Sequence, residues 1–136
     1  MSGGAPDGYR WSAPQRLRGI GGSNHYVDDL VIPANTSVAT PVMLAMTLVK
    51  GWVASIKLIF PPGPAALAHV VVWDKDGQLF PSDSSQDFHL DNVIVDIPCD
   101  FDTKWDGVGY RLYFFGWNDD DTWPHTIQCH VWVIPY

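Results

Sequence analysis

The chain contains no glutamate: all fifteen of its acidic side chains are aspartate. Aspartate competes with the backbone for hydrogen bonds and favours turns and caps over helix interiors. That choice suits a β-rich chain with many loops, and it removes a residue often used as a general acid or base. Basic residues are few as well, eight Lys and Arg, for a formal charge of −7. An acidic body does not suit phosphate-backbone binding, so nucleic acid is not an expected partner. No apolar run reaches transmembrane length and no basic-then-apolar leader opens the chain. Neither a membrane partner nor export by the general secretory route is therefore expected. Only two cysteines occur, Cys99 and Cys129. Spacing alone cannot establish a bridge between them, and two buried free thiols are the simpler reading. No stretch carries a convincing 3.6-residue apolar period with a cap, which leaves helices out.

What is present is a two-residue period. Trp52, Ala54, Ile56, Leu58 and Phe60 alternate with Val53, Ser55, Lys57 and Ile59, which predicts a strand with the first row against a core. Pro61-Pro62-Gly63-Pro64 stops it, because proline supplies no ladder donor. The run Ala68–Trp73 follows, and Asp76-Gly77 turns the chain into Gln78–Phe80, a hairpin signal. Further strands are expected at Tyr26–Ile32, Val42–Lys50, Val93–Ile97 (closed by Pro98), Tyr110–Phe115 and Ile127–Val133, with an acidic loop at Cys99–Val108. Eight short strands separated by Pro- and Gly-marked turns predict an all-β fold, a single antiparallel β-sandwich that is jelly-roll-like. At 136 residues one such domain, residues 26–136, buries roughly two-thirds of the surface its unfolded chain exposes.

Residues 1–25 differ in character. They are rich in Gly, Ser and Pro and carry Arg10, Arg16 and Arg18 against Asp7 alone, whereas the remainder holds five basic and fourteen acidic side chains. The expectation is an extended N-terminal arm that reaches at most about 80 Å. It either meets an acidic partner or acts as a solvated tail.

Motifs for chemistry are sparse. Asp119-Asp120-Asp121 near His125 offers oxygens to a hard cation such as Ca²⁺, which wants six to eight. Consecutive side chains diverge, however, and a solvated turn is the competing reading. Asp100, Asp102 and Asp106 form a second acidic group. Asp74-Lys75-Asp76-Gly77 lacks the ligand positions of a calcium loop. His125 and His130 sit on either side of Cys129, His69 and His89 are scattered, and no paired spacing supplies four converging zinc ligands. Serines 82, 84 and 85 lie in turn chemistry rather than in a nucleophile elbow, and no two aspartates have a spacing that marks a glycosidase pair. No metal, cofactor or catalytic residue is expected, and an enzyme is not the favoured class.

Aromatic residues are the stronger signal, with seven Trp, five Tyr and six Phe. Trp73 falls out of phase with Val70 and Val72, as Trp132 does with Val131 and Val133, while Trp105, Trp117 and Trp123 sit in or beside loops. Exposed aromatics of this kind anchor protein interfaces or stack on sugars. The expected partner-binding residues are Arg10, Trp11, Arg16, Arg18, Trp73, Trp105, Trp123 and Trp132. A carbohydrate-binding module using Trp73, Trp105, Trp117 or Trp123 is the alternative.

Two segments, FPPGPAALAHVVVWDKDGQLFPSD (60–83) and GWNDDDTWPHTI (116–127), resemble small β-sandwich virion proteins of tailed bacteriophages. The resemblance spans roughly Val31 to Pro135 and leaves the arm outside. It implies a structural protein of the virion, a head decoration protein on the capsid exterior or a tail or fibre component. The implied partners are the major capsid protein and further copies of the chain, as a homotrimer.

Overall fold

The computed structural model describes residues 23–63 and 65–136; Arg10, Trp11, Arg16 and Arg18 lie outside them. Alternating apolar residues form eight strands: β1 (Asn24–Ile32), β2 (Val42–Leu48), β3 (Gly51–Phe60), β4 (Ala68–Asp74), β5 (Gly77–Phe80), β6 (Val93–Asp102), β7 (Tyr110–Asn118) and β8 (His125–Pro135). Strand one pairs with eight, two with seven, three with six and four with five, all antiparallel. The chain is thus one long hairpin, wound so that a first sheet has the order β1-β8-β3-β6 and a second the order β2-β7-β4-β5. This is the jelly-roll arrangement.

The inner rows of the two sheets face each other. Leu30, Ile32, Ile56, Leu58, Phe60, Ile127, Cys129, Val131 and Val133 line the first sheet, and Met46, Leu48, Val70, Val72, Leu112 and Phe114 the second, all buried. Each large apolar side chain so buried contributes about 1.5–3 kcal/mol. The layers approach closely at Gly116, where a Cβ would sit 2.6 Å from Ile32 Cδ1.

Three expectations are corrected. The apolar row of β3 does not run unbroken from Trp52. The register shifts between Val53 and Ser55, and this irregularity reverses the alternation. Val53 is therefore fully buried, while Trp52 turns outward and its indole N–H donates to Asp100 at 2.8 Å. Pro98 does not close β6, which continues to Asp102. Because β6 is an edge strand and Pro98 lies opposite Ser55 beside the irregularity, its missing N–H costs little. Cys99 to Asp102 therefore belong to a strand, not to the expected loop. The β4–β5 turn centres on Lys75-Asp76, since Asp74 pairs with Gly77. Buried Asp74 accepts the Asp76 N–H at 2.7 Å, and Gly77 supplies a φ of 143°. Lys104 reaches across to both Asp74 and Asp76, at 3.2 and 3.0 Å.

The topology puts the β1–β2, β3–β4, β5–β6 and β7–β8 loops at one end of the sandwich. The β2–β3 and β4–β5 turns lie at the other end with the β6–β7 loop.

Candidate functional site

Because Leu112, Phe114 and Gly116 of β7 point inward, Tyr113, Phe115 and Trp117 must point outward. They meet the outward row of β4 through the pairs Trp117–His69, Phe115–Val71 and Tyr113–Trp73, with Met43 of β2 opposite Phe115. The outer face of the second sheet is therefore an apolar and aromatic floor. Trp73 stands edge-on to Phe115, with ring centroids 5.7 Å apart. Val38 and Pro41 of the β1–β2 loop rise on one side and Ser84 to Asp87 of the β5–β6 loop on the other, enclosing a groove of about 550 Å³. The polar wall is held down by the sheet. Phe88 exchanges both backbone hydrogen bonds with Val70 at 2.9 Å. The Gln78 amide donates to the carbonyls of Pro81, Asp83 and Gln86, at 2.8, 3.3 and 3.2 Å.

At the loop end of this groove, four side chains from three parts of the chain converge. His69 Nδ1 lies 2.7 Å from Asp87 Oδ1, and His89 Nδ1 lies 2.8 Å from the same oxygen. On its far side His69 Nε2 lies 2.8 Å from Asp119 Oδ2. The His69 ring stacks on Trp117, 5.2 Å between centroids and 4° from parallel. His69 and His89 are thus neighbours, not scattered as their positions in the chain suggest. Asp87 precedes His89 by two residues, and the β-bridge between Val70 and Phe88 brings both to His69.

The expected tryptophans do not form one patch. Trp73 is in the groove. Trp132 is on the outer face of the opposite sheet, stacked on His25 at 4.2 Å with Lys57 Nζ 5.4 Å from its ring. Trp105, half-exposed, packs edge-on to Tyr110 at the start of β7. Trp123, 66 % exposed, lies beyond the other end of β7, about 27 Å away for nine residues of strand. Trp117, named only for the carbohydrate alternative, does share the groove with Trp73, whereas Phe115 was missed as a site residue. Its outward phase on β7 was readable, but only the fold shows that loops wall the same face.

The acidic groups separate. Asp119 serves His69, Asp120 accepts the N–H groups of Thr122 and Trp123 and pairs with His125 at 2.9 Å, and Asp121 accepts the Thr122 hydroxyl. Turn hydrogen bonds, first that from Thr122 and then the His125 contact, hold the Asp120 carboxyl below its ordinary range. Asp100 and Asp102 are exposed on β6, and Asp106 closes the β6–β7 turn. Cys99 and Cys129 are free and buried.

Comparison of the chain with protein-family models, curated proteins and solved structures found no match.

Proposed function

We propose that this chain is a structural protein of a tailed-phage virion, a decoration protein that attaches to the outside of the head. The observation that carries this reading is where the two phage-like segments meet. Residues 60–83 and 116–127 are remote in sequence, yet β4 and β7 pair through Ala68–Asn118, His69–Trp117 and Val70–Gly116. The Asp119 N–H also donates to the Leu67 carbonyl at 2.9 Å. The two segments are therefore neighbours in one sheet and share the outward pair His69–Trp117 at the loop end of the groove, a location that suits a partner-binding face. The two edges of the first sheet, with Val27 and Val31 exposed on β1 and Ile94 on β6, are available to neighbouring copies in a homotrimer. Repetition of modest contacts on a lattice gains by avidity. The basic segment before β1 suits attachment to an acidic shell. The test is co-sedimentation with empty heads: the full chain pellets with them, and deletion of residues 1–23, which leaves β1 whole, weakens pelleting without unfolding the domain. A full chain that stays in the supernatant refutes the reading.

A carbohydrate-binding role is the second reading, favoured by the pairing of Trp73, Phe115 and Trp117 with a polar wall of Gln78, Ser84, Ser85 and Gln86. Aromatic faces beside hydrogen-bonding groups suit sugar rings. Titration with oligosaccharides would shift the tryptophan fluorescence, and Trp73→Ala would abolish the shift. An unchanged spectrum across a glycan panel removes this reading.

A further inference from the structure

We propose that His69, Asp87 and His89 form a binding site for a divalent first-row transition ion, zinc being the reference case, with Asp119 as the outer carboxylate that orients His69. The donor atoms carry the proposal. One ligand atom from each of the three residues lies within 4.8 Å of the others. Both imidazole Nδ1 atoms are directed at a single carboxylate oxygen, Asp87 Oδ1, at 2.7 and 2.8 Å. A tetrahedral zinc with bonds of about 2.0–2.2 Å holds its ligand atoms roughly 3.3 Å apart. The two histidine nitrogens stand closer than that to the Asp87 oxygen, at 2.7 and 2.8 Å, so the carboxylate would draw back by about half an ångström to admit an ion. Two imidazoles and one carboxylate suit zinc and its neighbours, whereas Ca²⁺ and Mg²⁺ prefer oxygen alone.

The far side of His69 gives the second observation. Its Nε2 faces Asp119 Oδ2 at 2.8 Å while Nδ1 faces the Asp87 oxygen, so an ion at Nδ1 would be backed by Nε2–H donating to Asp119, the carboxylate–histidine–metal relay seen in many metal sites.

The site is also prepared in advance. His69 is fixed on β4 by its stack on Trp117, and Asp87 and His89 flank Phe88, which is tied to Val70 by two backbone bonds. His69 and Asp87 side chains are 15 % and 20 % exposed, His89 52 %. The site is therefore open on the His89 side, where water or a partner's side chain can take the fourth position. Because Asp87 also lines the groove, an ion here clips the β5–β6 loop to β4 and, through Asp119, steadies the β7–β8 loop. The inference stands apart from the virion reading, since it needs no partner.

Isothermal titration of the chelator-treated full chain with zinc is the test. The expected result is saturable binding of one equivalent that His89→Ala removes. His89 is half-exposed on a loop, so this variant keeps the fold, which circular dichroism checks. Asp119→Asn retains all three ligands and is expected to weaken affinity about 10- to 100-fold. His25→Ala, at the other histidine pair where His25 Nε2 and His130 Nδ1 lie 2.8 Å apart, is expected to change nothing. Absence of zinc binding by the wild-type chain overturns the proposal, as does binding that survives His89→Ala or is lost with His25→Ala.

Discussion

Asn118 is the side chain whose loss the structure makes most informative. It is the last residue of β7 and 1 % exposed. Its amide nitrogen donates to the carbonyls of Trp123, Pro33 and Ile32 at 2.9, 3.3 and 3.4 Å, and its Oδ1 accepts the Asp120 N–H at 2.9 Å. One side chain thus ties the end of β1 to the loop that presents Asp119 and Asp120. In Asn118→Ala, the two short bonds at about 1 kcal/mol each and the two longer ones at about half that give a loss of about 3 kcal/mol. For a domain of this size that corresponds to a fall in Tm of about 10 °C. Urea denaturation with an unchanged slope measures it. Asn118→Asp separates hydrogen bonding from packing, because aspartate nearly preserves volume but sets an oxygen against three carbonyls. Aspartate at this position is expected to be at least as destabilising as alanine at neutral pH. A loss below about 1 kcal/mol in the alanine variant, or an aspartate variant clearly more stable than the alanine one, refutes it.

Two further outcomes follow from titratable groups. Asp106 accepts hydrogen bonds from the Tyr113 hydroxyl, from the Gly109 and Val108 N–H groups at 3.0 and 2.9 Å, and from Arg111 Nε at 2.6 Å. These partners, Tyr113 first, hold its carboxyl well below the ordinary range. A depressed folded pKa stabilises the fold above the unfolded value of about 3.9, and the contribution fades as pH falls through the folded one. The stability gap between wild type and Asp106→Asn should be constant near neutrality and shrink below about pH 4; a gap unchanged to about pH 2 contradicts this. Burial raises the Cys99 thiol to about 11 and the Cys129 thiol further still. Both should resist a disulfide reagent at neutral pH until the chain unfolds, and rapid native labelling of two equivalents would show the burial to be wrong.

Strand parity was legible wherever one face is buried without interruption. Ile127, Cys129, Val131 and Val133 read as an inner row and are one. Parity also told that Trp73 and Trp132 point outward, but it carries no information on which sheet, and the two are on opposite faces of the sandwich. The misreading at Trp52 arose because an irregular ladder adds one residue to the count without any local signature. Pro98 misled because proline is excluded only from interior strands, and edge position is a property of the whole topology. The convergence of His69, Asp87, His89 and Asp119 was hidden for a stronger reason. It depends on β4 pairing with β7 and on the β5–β6 loop bridging back to Val70. The spread of positions from 69 to 119 leaves no periodic trace of such pairings.

Cryo-electron microscopy of intact particles from the source of this chain tests the central claim most directly. The expected result is density for an eight-stranded jelly roll on the outer surface of the head, clustered in threes, with the basic segment before Asn24 directed at the shell. Particles whose heads carry no such density, or in which the domain is found only in the tail, contradict it.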